Sequence, residues 1–163
     1  MRKLAFTSVL VIACSFSHAI ANSKLGKYTG LPVPRFVSLK SAQVNGRTGP
    51  GFKHPIDWEY TKKGLPVQII AEYEEWRQIK DFNNDITWIH GSLLSSRRYA
   101  ITKQDVTAYN NGIFSSYPSM NIQKGVVISV VKCEANRCQL SYKTNSGWVD
   151  KSSLWGIKLN EIF

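Results

Sequence analysis

The chain carries one segment twice. GLPVQIIAEYEEWRQIKDFNNDITWIHGSLL (64–94) is echoed by GVVISVVKCEANRCQLSYKTNSGWVDKSSL (125–154). Each copy opens on Gly, runs through β-branched residues, breaks at polar turns and reaches a Trp followed by Ile or Val. Gly64 to Trp88 is 24 positions and Gly125 to Trp148 is 23, and Leu94 and Leu154 each lie 6 beyond their Trp. Upstream, Val44 precedes Gly64 by 20 positions and Val106 precedes Gly125 by 19, so register holds over roughly 50 residues with one-residue slips at turns. A solenoid needs three or more repeats, so two copies imply two small domains, each closed on its own core.

The local pattern is that of strands and turns. Segments 37–44, 65–73, 76–80, 87–91, 101–109, 126–132, 138–143 and 147–151 are short, rich in β-branched and aromatic residues, and alternate enough to half-bury one face. Asn83-Asn84, Asn110-Asn111-Gly112 and Asn145-Ser146-Gly147 supply tight turns. No long window keeps a helical period, which limits helix to single 3-10 turns around Ser92–Leu94 and Ser152–Leu154. The fold class is therefore all-β, with a small barrel per copy and a long irregular loop after its first strand.

The N-terminus has the form of an export signal. Arg2 and Lys3 precede an apolar run over 4–16, and Ala19-Ile20-Ala21 offers the small residues of a cleavage site, placing the cut between Ala21 and Asn22. A competing processing route runs through Val11-Ile12-Ala13-Cys14, a loose lipoprotein box that would anchor the protein through Cys14. The run is too short to span a bilayer, which takes ~20 apolar residues, and no later segment approaches that length. The expected location is periplasmic or secreted.

Removing Arg2 and Lys3 with the signal leaves 19 Lys+Arg against 11 Asp+Glu, a net +8. Such a protein is drawn to anionic envelope polymers or lipid surfaces. The charge is spread, 10 against 7 over 34–98 and 7 against 4 over 99–163, with no stripe that tracks phosphates, so nucleic acid is not an expected partner. Cys133 and Cys138, the only cysteines after the signal, flank EANR and in an oxidising compartment read as a hairpin-tip disulfide. With His54 and His90 in the other copy, they make no zinc set, and no cofactor is expected.

Arg47-Thr48-Gly49-Pro50-Gly51 makes a sharp bend at a strand end, its arginine read either as salt-bridged within the turn or as a planar fork for a ligand carboxylate. In HPIDWEY (54–60), Trp58 and Tyr60 are two apart and share a face if the segment is extended. With Trp76 and Trp88 they would wall an apolar groove fit for a peptide or a sugar ring, and His90 stands at the strand end beside them. The candidate ligand-binding set is Arg47, Trp58, Tyr60, Trp76, Trp88 and His90. DFNNDITWIHGS (81–92) has Ile86 and Ser92 where a calcium loop needs Gly and Glu, so it reads as a hairpin turn. Glu72, Glu74, Glu75 and Asp81 lie near Arg77 and Lys80 and read as a solvated strand edge. The chain has no G-x-S-x-G, H-E-x-x-H, G-x-G-x-x-G or Walker loop, and a Cys–His peptidase would need a free thiol, so no catalytic residues are assigned.

Gly30-LPVPRFVSLK-Ser41, Val44 to Gly51, HPIDWEY, KKGLPVQII (62–70), Trp76-Arg77 and WIHGSLLSSRR (88–98) together resemble the exported bacterial SH3-like proteins, in the tandem form common in alphaproteobacteria. Leu154-Trp155-Gly156 and the Cys133/Cys138 pair resemble that family's second domain. Gly46 stands where an apolar residue is usual, and Tyr109 replaces Arg47 in the second copy without the Gly-Pro that follows. The resemblance implies two tandem SH3-like β-barrels, at 34–98 and 99–160, after a signal peptide (1–21) and a leader or linker (22–33). It also implies a non-enzymatic binding module for peptidoglycan peptides or wall-associated proteins. The alternatives are an envelope or host protein-protein scaffold and an accessory to a cell-wall hydrolase. In such barrels the loop after the first strand walls the ligand groove, which favours the first copy, because YNNGIFSSYPSM (109–120) carries no charge. Trp58→Ala is the substitution expected to weaken binding. The segment 95–104, with Tyr99 and Ile101 and no Gly or Pro, is expected to be a packed connection between the barrels.

Overall fold

The computed structural model describes residues 24–110 and 117–163. The export segment, with its cleavage between Ala21 and Asn22 and the alternative at Cys14, lies outside the described residues, as does the middle of the loop after Asn110. Two short strands, β1 (Lys24–Leu25) and β2 (Pro32–Val33), pair as a hairpin. Then β3 (Arg35–Leu39), β4 (Val44–Arg47), β5 (Ile56–Tyr60), β6 (Pro66–Tyr73), β7 (Trp76–Lys80), β8 (Ile86–His90) and β9 (Leu94–Ser95) form a 7-stranded antiparallel sheet in the order β5-β4-β8-β7-β6-β3-β9. The second copy retraces that path. Its strands β10 (Tyr99–Thr102), β11 (Val106–Tyr109), β12 (Pro118–Ile122), β13 (Val127–Cys133), β14 (Arg137–Tyr142), β15 (Asn145–Asp150) and β16 (Leu154–Trp155) are ordered β12-β11-β15-β14-β13-β10-β16. The only helical elements among the described residues are 3-10 turns at Gly91–Leu93 and Lys151–Ser153, one residue upstream of the expected positions.

The repeat extends to irregularities. The pairing of β6 with β7 slips between Ile69 and Ala71, and that of β13 with β14 slips between Val130 and Lys132, five residues after Gly64 and Gly125 respectively. Such a bulge adds local bend and twist, which a sheet needs to curl round a small core. The curling is visible in the packing. Tyr60 from one end of the first sheet and Leu94 from the other meet in a single cluster with Leu39, Val44, Val67, Ile69, Ile79 and Ile89. Ile122 and Leu154 do the same in the second, around Ile128, Val130, Leu140 and Val149.

Three expectations need correction. The single strands read over 37–44 and 101–109 are each two strands broken by a bend, because a barrel this small must turn its strands sharply. Ile56–Tyr60, expected within the long irregular loop after the first strand, is an edge strand paired with β4. Alternation makes Val127, Val130, Leu140 and Trp148 core residues; Val130 and Leu140 are buried, whereas Val127 and Trp148 are not core. The pleat puts Gly147 and Val149 inside and leaves Trp148 half-buried on the outer face, and Trp88 stands outside in the same way between Thr87 and Ile89.

Cys133 and Cys138 form a disulfide with both sulfurs' residues fully buried. They pair directly across β13 and β14, and the repeat register places them where Glu72 faces Arg77 in the first sheet. One copy thus ties its longest hairpin covalently and the other by charge. Replacing both cysteines by Ser is expected to lower stability by about 2 kcal/mol through the small closed loop alone, with the β-sheet circular-dichroism spectrum retained. Loss of that spectrum on reduction would contradict it.

The charged counterpart also holds the leader. Residues 24–33 fold back so that the Glu72 carboxylate accepts the Thr29 hydroxyl at 2.6 Å and the Thr29 and Tyr28 backbone N–H groups at 3.1 and 3.3 Å. Arg35 bridges the carboxylate at 2.8 Å, and the Glu72 side chain is 1% exposed. Gly26 passes so close to this carboxylate that a Cβ would collide with it. The Tyr28 ring also rests on Tyr73.

Between the barrels the chain is packed. Arg98 donates from Nη1 to the Phe36 carbonyl at 3.1 Å and from Nη2 to the Gly156 carbonyl at 3.1 Å and the Glu161 carboxylate at 2.8 Å. Trp155 of the second barrel meets Phe36 and Phe82 of the first edge-on. Gly156, at φ +104°, lets its backbone lie against Pro66, where a Cβ would stand 2.9 Å from the proline ring. These contacts fit the expected packed connection and fix the barrels against each other.

Candidate functional site

The face with the richest chemistry is built on β4, β5, β7, β8 and the loop between β4 and β5. The loop closes through Thr48 N–H to the Pro55 carbonyl and His54 N–H to the Gly51 carbonyl. At Gly49 a Cβ would lie 2.6 Å from the His54 ring, so a residue without a side chain is what lets His54 fold onto the turn. Arg47, the last residue of β4, donates from Nη1 to the carbonyls of Phe52 (3.2 Å) and His54 (2.7 Å). This corrects the reading of a turn closed by a salt bridge: the partners are loop carbonyls. The Nε and Nη2 groups have no hydrogen-bond partner among the described residues.

Stapled in this way, the loop turns Phe52 outward over its neighbours. The ring is 72% exposed, lies 5.6 Å from the Arg47 guanidinium, packs edge-on to Trp76 at 5.1 Å and stacks on His90 at 5.8 Å. Register puts Arg47 opposite Trp88 and Ile56, Gln78 opposite Trp88 and Trp76 opposite His90. Cross-strand partners share a face, so Arg47, Ile56, Trp76, Trp88 and His90 line the outer face with Phe52 above them. His90 is fixed by Ser92 Oγ at 2.7 Å from Nδ1 and by Glu75 at 3.0 Å from Nε2. The order Ser–His–Glu resembles a proton relay, but the Nδ1 atom also accepts the Ser92 N–H as the cap of the 3-10 turn, and the Glu75 carboxylate is open to water.

The expected four-aromatic groove does not form. Tyr60, 4% exposed, is a core residue, and burial together with Asp81, Asp85 and Asp57 pushes its phenol above the ordinary range. The Asp81 carboxylate lies near this hydroxyl, yet no hydrogen bond of good geometry closes between them. Asp81 instead accepts the Asn83 and Asp85 N–H groups, making the hairpin turn read from the sequence. Trp58 is 42% exposed but pairs with Gly46 on the inner side of β4 and touches Tyr60 rather than Trp76 or Trp88. Trp76 is 7% exposed, a floor beneath Phe52 rather than a wall. The residue missed is Phe52, whose signal was an aromatic between Gly51 and Lys53 in a loop with no apolar partner in sequence.

The second barrel carries a related face. Tyr109 pairs with Trp148 as Arg47 does with Trp88. The cation absent from its loop comes across the sheet, from Arg137 at 4.5 Å and Lys132 at 5.8 Å from the Trp148 ring. A cleft of about 350 Å³ opens there between Thr107, Tyr109, Arg137, Trp148, Val149 and Asp150. Among the described residues no three His, Cys, Asp or Glu side chains come together as a metal set, and no helix is long and apolar enough to cross a membrane.

The family profile described as "Bacterial SH3 domain" matches the chain over residues 40–96 and 116–156, one stretch in each sheet. No curated protein matches it. Of solved structures, the chain is similar to NlpC2 from Trichomonas vaginalis, at 8% identity over 75% of this chain and 48% of that one with a TM-score of 0.34. It is also similar to NlpC1 from the same organism, at 9% identity over 80% and 48% with a TM-score of 0.35. The chain spans about half the length of either structure, and a likeness this loose carries no argument.

Proposed function

The chain belongs to the bacterial SH3 domain family, and from that premise we propose that it is an exported, non-enzymatic binding module whose first barrel recognises carboxylate-bearing peptides of the cell wall. The observation that carries the reading is the Arg47–Phe52 pair: a guanidinium held in place by two loop carbonyls, with nitrogens left over, beneath an exposed ring. A guanidinium fork matches a carboxylate in two parallel hydrogen bonds. Phe52 and Ile56 would cover the apolar part of the same peptide, and His90 and Trp76 hold Phe52 in position.

Sedimentation with protein-free peptidoglycan tests this. Phe52→Ala is expected to weaken binding about tenfold, as loss of an aromatic anchor does. Its thermal midpoint should stay unchanged, since the ring is mostly in solvent. Trp58→Ala, on the other side of β4, should weaken it less. Binding driven by net charge alone would show the reverse pattern: loss in 0.5 M salt, about a 4 Å screening length, and indifference to Phe52→Ala.

A further inference from the structure

A second cleft, of about 350 Å³, lies where the first barrel meets the connection to the second, lined by Ser38, Leu39, Lys40, Lys63, Gly64, Ser95, Arg97 and Tyr99. Its lining holds three cations and no acid. The side chains of Lys40, Lys63 and Arg97 are exposed and make no ion pair or hydrogen bond with a described residue. The walls are firm. Arg97 is anchored through its carbonyl, which accepts the Ser38 hydroxyl at 2.8 Å, and through its N–H to Ser95 Oγ. The Tyr99 ring lies against Gly64, where a Cβ would be 2.9 Å away, and forms the floor.

The corresponding place in the second barrel does not carry this charge excess. The second barrel has the same lysine pair at Lys103 and Lys124, since Lys40 N–H bonds the Leu93 carbonyl as Lys103 N–H bonds the Ser153 carbonyl, and each second lysine precedes the repeat glycine. There Asp105, just before β11, accepts the Lys124 N–H at 2.7 Å. Just before β4 the corresponding residue is Gln43, so the acid is missing, and the connection adds Arg97 instead. The first copy carries Arg97 and lacks the acid that the second has at Asp105.

We propose that this junction cleft binds a phosphate group, with Lys40, Lys63 and Arg97 as its ligands and Tyr99 beneath it. It is separate from the aromatic face and independent of the peptide reading. Compact ammonium charges and a guanidinium fork around one concavity suit a tetrahedral dianion or a phosphodiester better than an extended peptide. The phosphate could be a lipid headgroup or a soluble one, and two probes separate them: phosphatidylglycerol vesicles and inorganic pyrophosphate, both in 0.15 M salt with the mature protein. Lys63→Gln with Arg97→Gln should reduce binding to at least one probe about thirtyfold. Lys103→Gln with Lys124→Gln, which removes the same net charge through the lysine pair of the second barrel, should reduce it less than about threefold. Loss with vesicles alone assigns the site to a headgroup, and loss with pyrophosphate alone to a soluble phosphate. Equal losses in the two double variants, or no binding of either probe by the wild type, would overturn the proposal. All four side chains are exposed, so an unchanged thermal midpoint checks that both variants are folded.

Discussion

Lys151→Met should destabilise the second barrel by about 3 kcal/mol and free the C-terminal segment. The lysine is 1% exposed, and its ammonium donates to the carbonyls of Glu134 (2.5 Å), Ala135 (3.0 Å), Leu159 (3.1 Å) and Glu161 (2.7 Å). Two of these belong to the tip of the β13–β14 hairpin and two to the chain end, so one buried charge joins them. Without it the hairpin carbonyls lose a buried partner, at about 1–3 kcal/mol each. The tail carbonyls can return to water only by detaching. Detachment would also break the mutual backbone hydrogen bonds of Cys133 and Phe163, expose Ile157 and remove Glu161 from Arg98. Urea denaturation measures the first effect, and amide exchange at Cys133 and Phe163 the second. A variant with wild-type midpoint and protected amides would show that Lys151 is replaceable by an apolar chain of similar length.

Glu72→Gln should release residues 24–33 and cost about 2–3 kcal/mol, because Arg35 and the Thr29 hydroxyl and N–H all converge on one buried carboxylate. The wild-type contact is also pH-dependent. Burial alone would raise the pKa of this carboxyl, but the hydrogen bonds from Thr29 and Arg35 outweigh it and hold it below its ordinary 4.5. A folded-state pKa below the unfolded one gives stability that is complete above the unfolded value and is lost as pH falls through the folded value. The wild type should therefore lose stability on acidification below about pH 4.5, whereas Glu72→Gln should lose less over the same range. Parallel acid titrations of the two midpoints would contradict the assignment.

The repeat, the all-β class, the 3-10 turns and the cysteine pair were legible because they rest on local spacing and on period-2 alternation. The same alternation misplaced Trp148, since a strand with one wet face has two registers and a tryptophan suits either. Arg47, Trp88 and His90, named in one candidate set, do share a face, but it is the pairing of β4 with β8 that brings Arg47 to the other two. Tyr60 and Trp58 share a face as their spacing implies, but that face turns toward the core and away from Trp76 and Trp88, so the four rings do not form one groove. Phe52 and Lys151 could not be read at all, and Glu72 and Asp81, read as part of a solvated strand edge, are buried, because β6 and β7 lie inside the sheet and not at its edge. The roles of Phe52, Lys151 and Glu72 depend on contacts with residues distant in sequence: Trp76 and His90 for Phe52, the chain end for Lys151, the leader for Glu72. An isolated aromatic in a loop and a charge at a strand end look like ordinary surface until the chain folds back on them.

If Arg47 on the first barrel reads a peptide carboxylate, as proposed, removing that carboxylate from the peptide should cost affinity only while Arg47 is present. The decisive experiment is calorimetric titration of residues 22–163 with a soluble wall stem peptide, in its free-acid form and with its C-terminal carboxylate amidated. The wild type should prefer the free acid by about tenfold and Arg47→Gln should bind both forms equally weakly, because a charged hydrogen-bonded pair contributes about 1.5–3 kcal/mol. Equal binding of the two peptides by the wild type, or a preference that survives in Arg47→Gln, would contradict it.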